Sequence, residues 1–284
     1  MISKAFGQKK LPLHPSERMH ALIQRVCQNS PTGKSILEKS LNEKRTQFVF
    51  ADDILPLGVY IPSLNTVSLN ARYSDEDLCS TLVHEARHSL QGHIEGGNLK
   101  SRLLINRTQE ADAKAFQCAA AFEMRKAYPK VWESFKRSSQ KIASAYEKEA
   151  EKGRKAALGE AFKAWFDDRD YVDRYDSDAV LGVMGRARPD LKEVSEIRIM
   201  KSVCSGSQEG VYVDSSFLKT DRALTVKRGT AFRLRLAGLP IKDKSFYDFK
   251  IPKLCGNGVR EIKKNSFAAK AAAFLAPRDD GRKG

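Results

Sequence analysis

From Ser16 the apolar residues of "SERMHALIQRVCQ" recur at helical spacing, with Met19, Leu22, Ile23, Val26 and Cys27 on one side. "NSPTGK" interrupts this pattern, and "SILEKSLNEK" predicts a second short helix. The period then changes. "TQFVFADD" and "GVYIPSLNTVSLN" are rich in β-branched and aromatic residues, and Pro62 to Asn65 form the turn of a predicted hairpin. Ser74, with Asp77 three residues on, opens a helix whose acidic first turn suits the helix dipole. That helix stops near the glycines of "GHIEGGN". Another covers about Leu103 to Lys126, and the segment from Pro129 to Asp168 continues as helix, bent or broken near Gly153. "YVDRYDSDAVLGVM" adds one more. Beyond "RARPD", the stretches "EIRIMKSV", "EGVYVDSS", "RALTVKRG" and "AFRLRLAG" predict short strands, followed by a frayed alanine-rich tail.

The 284 residues are 41% hydrophobic and 30% charged, a composition suited to a folded soluble chain. No run approaches the length of a membrane span, and the N-terminus lacks the apolar core of a secretory signal. Five scattered cysteines, none in a CxxC pair, argue against a disulfide framework and point to a reducing cytoplasm. Charge is uneven: residues 1–190 carry a net +5 and residues 191–284 a net +10. The basic final third can attract nucleic acid or an acidic partner, or only aid solubility.

Against that background, three of the five histidines fall within "DEDLCSTLVHEARHSLQGH". His84-Glu85-Ala86-Arg87-His88 is an HExxH motif on a predicted helix. Positions four apart share a helix face, so both imidazoles can reach one metal ion. Glu85 is offset by about 100° and can hold a water beside the ion. Leu78, Cys79, Leu82, Val83, Ala86 and Leu90 form an apolar stripe opposite the histidines, which therefore face a cleft or solvent.

A zinc site requires a third protein ligand and an open position. His93 lies nine residues beyond His84, one short of the HExxHxxGxxH spacing, and Gly92 is displaced equally. Glu110 and Asp112 are the other candidates. On the next helix Leu104, Thr108, Ala111, Ala115, Phe116, Ala119 and Phe122 form the buried stripe. Asp112 flanks this stripe and Glu110 lies away from it, as the histidines do on their own helix. Glu110 is the preferred ligand, with Asp112 as hydrogen-bond partner to a ligand histidine. Ordinary ion pairs with Arg107 or Lys114 are the bland alternative. Arg87 is read as structurally paired, with Glu123 or another acid. Tyr171 and Tyr175 lie in an acidic, aromatic cluster that reads as a polar helix end but can also supply an oxyanion donor.

Strands, an HExxH helix, then a helix with a glutamate: this order resembles gluzincin-type zinc metallopeptidases. Within that group it resembles the compact bacterial metallopeptidase families, including the ImmA/IrrE type. "GVYIPSLNTVSLN" matches their hairpin, and Glu110, Asp112, Ala113 and Phe116 match the pattern of their third-ligand helix. The likeness runs from Gln47 to Arg125, with a vaguer one in "FKAWFDDRDYVDRYD". The thermolysin-like pattern has an aspartate where this chain has Lys114. The residue patterns and the resemblance together point to a mainly helical α+β fold divided into an N-terminal helical segment (1–46), a minimal zincin-like domain (47–188) that carries the likeness, and a basic extension with short strands (189–284) marked out by its charge, in which no family is recognised. The resemblance also implies Zn2+ held by His84, His88 and Glu110, Glu85 as general base, and a protein or peptide substrate. The rival class is a DNA-associated or other regulatory protein with a non-catalytic metal site. The basic extension motivates it, although no helix-turn-helix or zinc finger is evident.

Overall fold

The computed structural model describes residues 14–94, 97–183 and 192–226. The chain opens with α1 (Pro15–Asn29) and α2 (Pro31–Asn42). Each has proline in its first turn, where the missing N–H costs nothing. Ser30 caps α2 by accepting from the Gly33 amide at 2.8 Å. Strands β1 (Gln47–Ala51), β2 (Gly58–Ile61) and β3 (Thr66–Asn70) form one sheet in the order β1-β3-β2. β1 runs parallel to β3, whereas β2 pairs antiparallel with it, Tyr60 opposite Val67. The expected hairpin is present. Asn65 takes a left-handed conformation (φ 47°) in its turn, and its side chain fastens the turn to the Lys44 carbonyl at 2.8 Å. β3 is buried along its whole length, while β2 is an edge strand among the described residues.

α3 (Asp75–Leu90) packs against β2, β3 and α4 (Leu99–Met124). Ser74 caps it as expected, accepting from the Asp77 amide. α4 is the central helix: α1, α2, α3, α5 (Pro129–Ser138), α6 (Gln140–Glu149), α7 (Arg154–Trp165), α8 (Arg169–Val183) and α9 (Glu196–Val203) all touch it. Its buried side therefore extends well past the expected stripe to Leu103, Ala113, Cys118, Ala120 and Ala121, and the run of alanines lets neighbouring helices approach closely. The long helical segment after Pro129 breaks at Ser138–Ser139 as well as near Gly153, whose φ of 111° suits only glycine. One core cluster extends from Met19 to Val226.

The expected C-terminal strands are corrected where residues are described. "EIRIMKSV" is α9, capped by Ser195, with Ile199, Met200 and Val203 buried at helical spacing. In so short a segment the same apolar residues satisfy both periods, and packing on α4 favours the helix. "EGVYVDSS" is irregular and runs into a 3-10 turn (Ser215–Lys219); "RALTVKRG" begins as α10 (Asp221–Leu224). "AFRLRLAG" and the tail lie outside the described residues, as does most of the basic extension. The four described cysteines are free thiols, and no described helix is long and apolar enough to cross a membrane.

Candidate metal centre

The apolar stripe of α3 turns Leu78, Leu82, Val83, Ala86 and Leu90 into the core, which directs His84 and His88 into a cleft of about 830 Å³. α4 lies alongside and brings Glu110 to the same point. The two Nε2 atoms are 3.2 Å apart; Glu110 Oε2 lies 3.4 Å from that of His84 and Oε1 3.5 Å from that of His88. Glu85 is buried beside them, with a carboxylate oxygen within 4.8 Å of a ring nitrogen of each histidine. β2 closes over it so tightly that a Cβ at Gly58 would stand 2.9 Å from Glu85 Cγ.

These distances test the fit to a metal ion. In a tetrahedron with bonds of about 2.0–2.1 Å, usual for zinc with imidazole nitrogen or carboxylate oxygen, donors stand about 3.3–3.4 Å apart. Each of the three separations is close to that edge, with Glu110 turning a different carboxylate oxygen to each histidine. Two imidazoles and one carboxylate also suit a borderline divalent cation. The residues fit.

Hydrogen bonds fix the ring of His88. Gln91 Nε2 donates to the Gln109 carbonyl at 2.9 Å and to Asp112 Oδ2 at 2.8 Å, so its oxygen faces His88 Nδ1 at 2.9 Å. His88 must then carry its proton on Nδ1, leaving the Nε2 lone pair aimed at Glu110 and His84. His84 Nδ1 is buried without a hydrogen-bond partner among the described residues. Burial disfavours a charge on His88, but Glu110 and Glu85 outweigh it and raise its pKa above the ordinary range. Burial likewise opposes ionised Glu110; His88, His84 and a hydrogen bond from Tyr175 outweigh it and hold its pKa below the usual range.

Of the residues singled out by sequence, His84, Glu85, His88 and Glu110 converge. His93 lies beyond the end of α3, exposed on the cleft wall and outside this cluster. Asp112 touches neither histidine and reaches His88 only through Gln91. It is fully buried and accepts from Arg87 Nε at 2.7 Å and the Tyr212 hydroxyl at 2.8 Å. Arg87 is paired as expected, but with Asp112, while Glu123 accepts from Ser30 and Thr32 instead. Arg107 pairs with Asp176. Tyr171 and Tyr175 line the cleft, their hydroxyls 3.3 Å apart, so their helix end is more than a polar terminus. Sequence reasoning missed Gln91, whose only signal was its place one turn after His88.

A helix pair that presents two imidazoles and a carboxylate to one point, with a second carboxylate beside it, defines the class of metal-dependent hydrolases. The family model described as "Putative metallopeptidase family (DUF6782)" matches residues 4–205, and the chain belongs to that family. That membership implies a metal cofactor and a protein or peptide substrate. No curated protein and no solved structure matched the chain.

Proposed function

We propose that the protein is a gluzincin-like zinc peptidase, with His84, His88 and Glu110 as ligands and Glu85 as general base. The match between donor separations and a tetrahedral edge carries this reading. When bound, zinc supplies Lewis acidity, polarising a carbonyl and acidifying water towards a pKa of about 7. Glu85 takes the proton of the attacking water and returns it to the leaving amine. Gln91 holds the His88 tautomer, and Tyr175 anchors Glu110. Tyr171 is then the phenol available to donate to the developing oxyanion. The edge of β2 lines the cleft with Val59 and Tyr60, where an extended peptide can add as a further strand.

The test is Glu85→Gln, assayed by mass spectrometry on a mixed peptide library beside zinc analysis. An amide cannot accept the proton, so cleavage should fall by roughly two to four orders of magnitude while zinc is retained. Undiminished cleavage by Glu85→Gln would overturn the proposal.

A further inference from the structure

One helical turn past Glu110, α4 carries a charge that the proposed mechanism does not use. Lys114 lies four residues on, on the same face and about 6 Å along the axis, and it lines the same cleft. It is only 7% exposed. Its Nζ stands 5.2 Å from the Phe135 ring centre and 5.6 Å from that of Tyr171. Among the described residues it makes no hydrogen bond or ion pair. The contrast with the other deeply buried cations is plain: Arg87 and Arg107 each have a carboxylate partner. A buried charge is normally paired, and ring faces offset only part of its lost hydration. The glutamates of the cleft, Glu85 and Glu110, are committed to water and metal. The lysine and arginine of the lining are then the charged groups left to meet a substrate: Lys114 within, and at the exposed rim Arg174, stacked 4.7 Å from the Tyr171 ring centre.

We infer that Lys114, with Arg174 at the rim, forms an anion subsite one helical turn from the metal centre, and that the substrate places a carboxylate there. The inference rests on the peptidase reading for its substrate class. Two peptide groups supply the chemistry: an acidic side chain near the scissile bond, or a free C-terminus. A fixed ammonium held between rings binds either by a charge-assisted hydrogen bond.

The experiment titrates zinc-loaded, full-length Glu85→Gln protein calorimetrically with three peptides of equal length. The first is neutral with glutamine and an amidated end, the second has glutamate and an amidated end, and the third has glutamine and a free C-terminus. One carboxylate peptide should bind at least about 10-fold tighter than the neutral one, and which one does so identifies the source. Lys114→Met should erase that preference. Should Lys114→Met not fold, Lys114→Arg, which moves the charge, must change affinity for the carboxylate peptide and leave the neutral one unaffected. Equal binding of all three peptides, or a preference indifferent to Lys114, overturns the subsite. Hydrolysis by the unaltered protein separates the two claims. Cleavage with charge-blind binding sinks the subsite and spares the peptidase, whereas Lys114-dependent binding without any cleavage does the reverse.

Discussion

Two carboxylates two residues apart on α4 have opposite surroundings. Glu110 faces the cleft, where two imidazoles and a tyrosine converge on it. Asp112 faces the core, where Arg87, Gln91 and Tyr212 satisfy it and no water reaches it. Arg87 in turn donates to the carbonyls of Val203 and Ser205, both at 2.9 Å, so the ion pair ties the HExxH helix to α9 and the turn after it. The first acid is free to exchange partners for a cation. The second is locked into the fold. Gln91 joins them, because its amide spans Asp112 and His88. The site is thus rigid on the side the cleft does not need and open on the side it does.

The comparison breaks most sharply at Asp112. Removing it leaves Arg87 buried and unpaired, and losing one partner of such a pair costs about 3–5 kcal/mol. Denaturant unfolding of metal-free Asp112→Ala should show that loss; a loss below about 1 kcal/mol would mean that the pair is not structural. Gln91→Ala should act more locally, weakening zinc affinity about 10–100-fold in competition with a chelator while folding persists. Unchanged affinity would remove Gln91 from the orientation of His88.

A smaller effect concerns pH in the metal-free protein. His88 has a raised pKa when folded, so its contribution is fully present below about 6.5 and is lost as pH rises through the folded value. Glu110 has a lowered pKa, so its contribution is present above about 4.3 and is lost as pH falls through the folded value. The metal-free protein should therefore lose a little stability between mildly acidic and mildly alkaline pH, and Glu110→Gln should flatten that decline. Zinc binding has the opposite trend, since a protonated imidazole cannot ligate. Melting temperatures of both proteins, with and without zinc, check both signs.

The placement of the candidate residues was more legible in the sequence than the structure that supports them. The HExxH spacing, the hairpin before it and the placement of Glu110 off the apolar stripe are local patterns, and each was found where expected. The role of Asp112 was not local. Its partner Tyr212 lies 100 residues away, and the carbonyls that hold Arg87 are more than 110 residues from it. No periodicity within α4 carries that information. A helical wheel with one apolar stripe also failed for α4, because a helix touched by eight others among the described residues has no solvent face to define the stripe. In α9, eight residues were too few for one period to exclude the other.

In the proposed zinc site Glu110 completes the ligand set. Zinc per chain, measured after purification at neutral pH without chelator, tests it directly. The unaltered protein and His93→Ala should each hold close to one zinc, and Glu110→Gln should hold almost none while its metal-free fold remains intact. Stoichiometric zinc in Glu110→Gln, together with its loss in His93→Ala, would contradict the assignment.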